Sequence, residues 1–373
     1  MNVCMLRAAA TCLAAAGAWA QATGETVRMN QIQVVGTHNS YHAGIAPSET
    51  ELWKKSNPDM LRHLAYRHPP LDEQLSTGVR QIELDLFADA RGGRYAHPAG
   101  PRLVAQAGLP HDPPYDPMGV MQRPGFKIMH VPDVDYRSTC LTLVACLEAV
   151  RDWSRRSPGH LPIFILIETK QTPEKSDVPI TVPEKFTAKT LDALDAEIRS
   201  VFRPEEMIVP DDVRGQRRTL EEAVRKDGWP PLGRARGKVV FLMDQKDVGP
   251  AYRRGHPGLR GRVLFTNSEP GRPDAAFLER NDGPPDEIAT LVRQGYLVRT
   301  RTDADTEEAR TNATSRRDAA LASGAQLLST DYPASEPAVW TGYRVAFPDG
   351  AMARCNPVVA PPACPDLERL PLR

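Results

Sequence analysis

Short apolar runs rich in β-branched residues recur along the chain, separated by long polar stretches. Eight of them read as strands: IQVVGTH (32–38), VRQIELDLF (79–87), FKIMH (126–130), PIFILIE (162–168), KVVFLMD (238–244), RVLFTN (262–267), YLVRTR (296–301) and AQLLSTD (325–331). Between several of these the apolar period becomes helical. Residues 141–157 carry such a pattern, and 184–202 repeat Phe186, Leu191, Leu194, Ile198 and Phe202 at helical intervals. Thr219 and Glu222 stand in capping-box register. Segments 284–295 and 308–324 each end in a glycine, a common helix stop. Eight strands alternating with helices predict an α/β protein, a (β/α)8 TIM barrel. The pattern is irregular. Residues 88–124, rich in Gly and Pro, predict a long insertion above the barrel; 171–183 predict another loop, and the last forty residues a Pro-rich tail.

The first twenty residues follow a different logic. Arg7 supplies an early positive charge, an Ala/Leu run follows, and Ala18-Trp19-Ala20 forms a small-x-small cleavage site. The apolar run is too short to span a bilayer. A secretory signal over 1–20, a single domain over 21–373 and a secreted or periplasmic destination are therefore expected. Cys4 and Cys12 would leave with the signal. The spacing of the four remaining cysteines suggests two local disulfides, Cys140–Cys146 and Cys355–Cys364. No CxxC pair offers a zinc site. Basic and acidic residues balance at 47 each, which gives no support for nucleic acid as a partner and argues against strong electrostatic attachment to an anionic membrane. With 41% hydrophobic residues the chain can bury a large core, and it is expected to act as a monomer.

The candidate chemistry lies where the strands end. In QIELDLF, Ile82, Leu84 and Leu86 alternate with Glu83 and Asp85, so the two acids share one face. With the apolar set against the helices, the acids face the barrel interior near its C-terminal mouth. Two buried carboxylates this close need a positive charge between them. An internal ion pair with Lys or Arg would serve, and so would a metal ion. The first strand ends on His38 and Asn39, the third on His130, and the fourth on Glu168 with Lys170 two residues beyond. Active sites of this architecture are assembled from such C-terminal strand ends. Asn39, Glu83, Asp85 and Glu168 supply only oxygen, which favours Ca2+, with Mg2+ second, over zinc or copper. The histidines are then free for proton transfer. Two imidazoles and a cation suit phosphodiester cleavage, with Lys170 placed to neutralise phosphate charge.

Taken together, NQIQVVGTHNSYH, ELDLF, KIMH and FILIETK resemble the calcium-dependent phosphoinositide-specific phospholipase C family of the bacterial, secreted kind. RTRTDADTEEAR and GAQLLSTDYP look familial too, and the resemblance covers most of residues 30–332. It implies a phospholipase C-like barrel with catalytic His38 and His130 and with Asn39, Glu83, Asp85 and Glu168 around Ca2+. It implies a phosphoinositide or related phosphodiester substrate whose neighbouring hydroxyl attacks phosphorus, releasing diacylglycerol and a cyclic inositol phosphate. By that analogy His38 is the general base and His130 the general acid; the residues alone leave the order open, and a metal-bound carboxylate is the alternative base. Arg301 and Asp303 at the seventh strand end and Asp331 at the eighth are candidates for inositol binding or for a barrel salt bridge. His42 and His97 fall in loops and are expected outside the chemistry, and Tyr41 is expected to pack. With no accessory lipid-binding domain evident, peripheral membrane contact would rest on the barrel rim.

Three rival readings are weaker. A glycerophosphodiester phosphodiesterase would open with a His-Arg-Gly type motif, where this chain has Gly-Thr-His-Asn. A glycoside hydrolase could use Glu83 and Glu168 but leaves both histidines without a task. A non-catalytic barrel binding inositol phosphates or glycans has no need of both an acid and a base.

Overall fold

The computed structural model describes residues 27–362 together with 364 and 367. The expected signal segment over 1–20 and its two cysteines lie outside the described residues. Ten strands form one sheet: β1 (Ile32–Thr37), β2 (Gln81–Phe87), β3 (Lys127–Ile128), β4 (Ile163–Thr169), β5 (Val239–Met243), β6 (Leu264–Thr266), β7 (Phe277–Glu279), β8 (Leu297–Arg301), β9 (Leu327–Thr330) and β10 (Ala353–Cys355). Eight are parallel staves in the order β6-β5-β4-β2-β1-β9-β8-β7. A parallel bridge between Asn267 and Phe277 joins β6 towards β7, so the ring is nearly closed. The TIM-barrel expectation is met.

One stave differs from the sequence reading. FKIMH is not part of the ring: β3 is two residues long and pairs antiparallel with the end of β2, Leu86 opposite Ile128. The eighth stave is β7, inside a segment crowded with Gly and Pro. Only three residues of it pair with β8, too few to carry a period. His130 therefore arrives on a loop beyond a side hairpin, not on a stave end.

The staves are buried along their length, as expected where helices cover the outer face and side chains fill the interior. Gly36 shows why the first stave contains a glycine: a Cβ there would lie 2.5 Å from Gln81 Cβ, at the single register pair joining β1 to β2. Towards its start β1 pairs instead with β10, Ile32 opposite Cys355. The C-terminal tail thus covers that edge, held by the Cys355–Cys364 disulfide. The other expected disulfide, Cys140–Cys146, is also present.

Before β2 come α1 (Pro47–Ser56), α2 (Pro58–His63) and α3 (Leu71–Ser76), which the sequence reading left unassigned. The 88–124 insertion contains α4 (Ala99–Gln106). The expected helix at 141–157 is α5 (Leu143–Arg156), whose first turn is capped by the Thr142 hydroxyl accepting from Ala145 N. That at 184–202 is α6 (Ala188–Val201), capped in the same way by Thr187. The Thr219 cap forms as its spacing suggests, accepting from Glu222 N. Residues 308–324 are two helices instead of one, Glu307–Thr311 and Ser315–Ser323, separated at Asn312 with φ 55°. No helix among the described residues is long and apolar enough to cross a membrane.

Candidate active site

At the C-terminal mouth, β1 delivers His38 and Asn39. Asn39 takes a left-handed backbone, φ 44°, which Asn tolerates better than most residues. Its Nδ2 donates to the Tyr66 hydroxyl at 2.8 Å, and its Oδ1 accepts from the Tyr41 hydroxyl at 3.3 Å. Tyr41 is fully buried and packs as expected.

His38 Nδ1 lies 2.9 Å from Asp331 Oδ1, at the end of β9. Its Nε2 is 2.5 Å from an Arg301 guanidinium nitrogen and 3.7 Å from Glu83 Oε1. A ring that donates from Nδ1 to the carboxylate can accept at Nε2. Burial, with Arg301 adding to it, holds this imidazole well below its ordinary range, so it is neutral at pH 7.

His130 Nδ1 is 2.8 Å from Asp135 Oδ2. The same carboxylate takes the buried His42 Nε2 at 2.9 Å. Burial alone would raise Asp135, but His42 and His130 overcome it and hold the carboxyl well below the usual range. His42, expected outside the chemistry, thus shares a carboxylate with His130. His97 lies in the insertion, beside Gln122.

The acidic cluster follows from register. Parallel pairing sets Asp85 of β2 beside Glu168 of β4. Oxygens of Glu83, Asp85 and Glu168 all lie within 4.8 Å of one another. Lys170 reaches into this group, its Nζ 2.7 Å from Glu168 and 3.1 Å from Asp85. Burial and the neighbouring Glu168 push Asp85 well above its ordinary value. Burial also raises Glu83, to about 7, against the pull of Arg299 and Arg301. Glu168 is the low member: burial would raise it, but Lys170 draws it down to about 2. Both Asp85 oxygens are buried without a hydrogen bond of good geometry, and only Oδ2 meets the ammonium, as an ion pair at 3.1 Å. Buried carboxylate oxygens short of donors, grouped with hard oxygen neighbours, fit a divalent cation such as Ca2+.

A cavity of about 430 Å³ is lined by His38, Asn39, His130, Glu168, Lys170, Arg301 and Asp331. Seven of the ten residues singled out from sequence meet there. Glu83 and Asp85 are buried beside it within the acidic cluster. Asp303 is not among the lining residues. It is buried, accepting from Thr302 Oγ1, Thr330 Oγ1 and Asp331 N, so its bonds brace the loop that carries Asp331.

Sequence reasoning missed Arg299, Asp135, Tyr66 and an inner carboxylate pair. Arg299 is 1% exposed and pairs with both Glu83 and Glu279. The alternation that found Glu83 and Asp85 could have found it, since Arg299 and Arg301 alternate along YLVRTR. Asp244, at the end of β5, is raised to about 10 by burial and by a hydrogen bond shared with Glu279; one proton between them keeps the pair from repelling. Asp135 and Tyr66 sit in irregular segments where no period marks them.

A barrel of this topology, with two imidazoles anchored to carboxylates and an acidic cluster at its mouth, has the parts of an enzyme that combines acid–base chemistry with a bound cation. The sequence profile described as phosphoinositide phospholipase C, Ca2+-dependent, matches residues 27–357. The chain belongs to that family. No curated protein sequence matches it significantly. Among solved structures it is similar to an apo form of the calcium-dependent phosphoinositol-specific phospholipase C from a Pseudomonas species, with 16% identity and a TM-score of 0.55 over 90% of this chain and 97% of that one. The myoinositol complex from Pseudomonas is also similar, at 15% identity and TM-score 0.54 over 89% and 96%. The Ca2+-dependent enzyme from Streptomyces antibioticus has 18% identity and TM-score 0.51 over 82% and 94%. At these identities the likeness is one of fold.

Proposed function

We propose that the protein is an exported phospholipase C, secreted or periplasmic, that cleaves the phosphodiester of phosphatidylinositol-type lipids with Ca2+ bound. One observation carries this reading: His38–Asp331 and His130–Asp135 are two carboxylate-anchored imidazoles on one cavity, where acid and base can work on opposite sides of a phosphorus.

His38 is neutral and accepts the proton of the inositol hydroxyl beside the phosphate. That oxygen bonds to phosphorus as the bond from phosphorus to the glycerol oxygen breaks. His130, its Nδ1 held by Asp135, gives a proton from Nε2 to the departing glycerol oxygen. Diacylglycerol and a cyclic inositol phosphate leave. Lys170 and Arg301 neutralise phosphate charge; in the bound complex Arg301 turns from His38 Nε2 towards the phosphate. Asp331 fixes the His38 tautomer in place of binding an inositol hydroxyl, and Asp303 braces it. Asn39, Glu83, Asp85 and Glu168 would hold the Ca2+, which supplies positive charge to phosphate oxygens and acidifies the attacking hydroxyl. Mg2+, which demands closer octahedral geometry, suits this crowded donor set less.

Residues 1–20 serve as the export signal and the rest as one monomeric domain that meets lipid at the barrel rim. The two disulfides support an oxidising destination. The test is release of diacylglycerol and water-soluble inositol phosphate from phosphatidylinositol vesicles. Activity is expected to vanish with a chelator and return with Ca2+. Full activity in chelator, or hydrolysis of glycerophosphoinositol in preference to the intact lipid, overturns the proposal.

A further inference from the structure

A second and larger cavity, about 1020 Å³, adjoins the catalytic one. Leu64, Tyr66 and Asp331 line both, so the two cavities adjoin across these side chains. Its walls come from α1, α2 and the chain after them on one side, and from the segment following β9 on the other. Apolar groups dominate: Ile45, Leu61, Ala65, Ala338, Val339 and Trp340. At the outer end Val339 is 90% and Trp340 40% exposed, an arrangement that costs hydration unless something apolar covers it. Four cationic side chains line the groove, with Asp331 and Glu336 as its acids; Lys54 and Arg62 are paired with Glu51 and Glu307, and Glu336 with His68. Arg67 makes no ion pair or hydrogen bond among the described residues. Arg310 stacks 3.8 Å over the Trp340 ring and donates only to Thr306 Oγ1 and the Arg62 carbonyl. An apolar trench edged by unneutralised guanidiniums complements a phospholipid, whose chains are apolar and whose headgroup region is anionic.

We propose that this groove receives an acyl chain of the lipid substrate, leading it from the scissile phosphate past Tyr66 to the Val339–Trp340 edge. This rests on the phospholipase reading above and adds what that reading lacks: selection of a leaving group by its hydrocarbon. The catalytic cavity, less than half the size, is left to the inositol phosphate. An inositol diester without a chain would fill only the smaller cavity.

The test uses alkyl phosphodiesters of inositol, with methyl to octyl leaving alcohols, below their aggregation limits. A buried methylene contributes about three- to fourfold in affinity, so kcat/KM should climb by up to about that factor per carbon. Ala65→Trp, which fills the groove, should flatten the climb while leaving the methyl ester unchanged. Thr50→Trp, filling from α1, keeps the test decisive if the first variant does not fold. Binding of a fluorescent alkyl-phosphate probe, with chelator present, is measured alongside. It should weaken at least tenfold in both filled variants and in Val339→Ser/Trp340→Ala. An equal climb in filled and unfilled proteins, or probe binding indifferent to filling, overturns the groove. Loss of probe binding on filling, with none of the esters cleaved by the wild type, supports the groove and overturns the catalytic reading alone.

Discussion

His38 Nδ1 and Asp331 Oδ1 lie 2.9 Å apart although 293 positions separate them in the chain. The contact exists because β1 and β9 are neighbouring staves, Thr37 opposite Thr330, and the next residue of each leaves the barrel at the same height. The carboxylate selects the tautomer with its proton on Nδ1, which leaves Nε2 to accept. Asp331→Asn removes that selection while keeping size. Its kcat on phosphatidylinositol should fall roughly 10²–10⁴-fold, comparable with His38→Ala, as expected for losing a proton-transfer group or its orientation. Combining the two should cost little more than either alone. Additive losses in the double variant would mean that Asp331 acts on something other than His38.

The carboxylate cluster makes a prediction that needs no turnover. Lys170 answers part of the negative charge of Asp85 and Glu168, but one ammonium serves a group of three carboxyls and leaves Asp85 Oδ1 without a partner. A ligand that binds the folded state alone stabilises it by about 2.7 kcal/mol at a hundred times its dissociation constant. Ca2+ should therefore raise the melting temperature by a few degrees, and Mg2+ by less. Asp85→Asn should abolish the shift while leaving the metal-free protein at least as stable, because it removes a carboxyl that burial already disfavours. A wild-type melting curve indifferent to Ca2+ would rule out the cluster as a metal site.

His130 depends on a residue the sequence reading passed over. Asp135 is 2% exposed and bonded to both His42 and His130. Asp135→Asn keeps the shape but withdraws the charge that two imidazoles share. Stability should fall by roughly 3–5 kcal/mol, the scale for breaking a buried charged pair, seen as an earlier midpoint in denaturant. Turnover should fall with it, and His42→Gln should reproduce a smaller part of both losses. Unchanged turnover in a folded Asp135→Asn would remove His130 from the acid role.

What could be read from the residues tracks how regular the backbone is. Seven staves were legible because each shows a short apolar run or an apolar–polar alternation set between turn-rich stretches, and Glu83 with Asp85 because strand alternation puts both on one face. The β7 stave was not legible: three paired residues between Gly- and Pro-rich turns cannot display a period. FKIMH reads as a stave because a short apolar run looks the same whether it joins the ring or pairs beside it. His130 was nonetheless found, since its loop folds back over the mouth. Asp135 and Tyr66 were missed because they act from irregular chain, where only three-dimensional proximity identifies a partner. Asp303 shows the converse: a polar residue just past a stave end whose bonds are spent on the loop itself.

His160 lies away from the mouth, between α5 and β4, and makes the pH prediction. Its Nδ1 donates to the Leu161 carbonyl at 2.6 Å and its Nε2 accepts from the Ser154 hydroxyl at 2.7 Å, a pairing that satisfies the neutral ring. Burial, the largest influence, pushes it down to about 4, against about 6.5 in an unfolded chain. Between those values the unfolded chain takes up a proton that the folded one refuses. Its contribution to stability is thus complete above about pH 6.5 and is lost as pH falls towards 4. The slope is at most about 1.4 kcal/mol per pH unit for one proton. His160→Gln cannot titrate, so the loss of stability of the wild type relative to this variant on acidification from pH 7 to 4.5 should reach about 2–3 kcal/mol. Denaturant midpoints of the two proteins across that range measure it. Parallel curves for wild type and His160→Gln would show that the ring is already charged in the folded protein, contrary to its two hydrogen bonds.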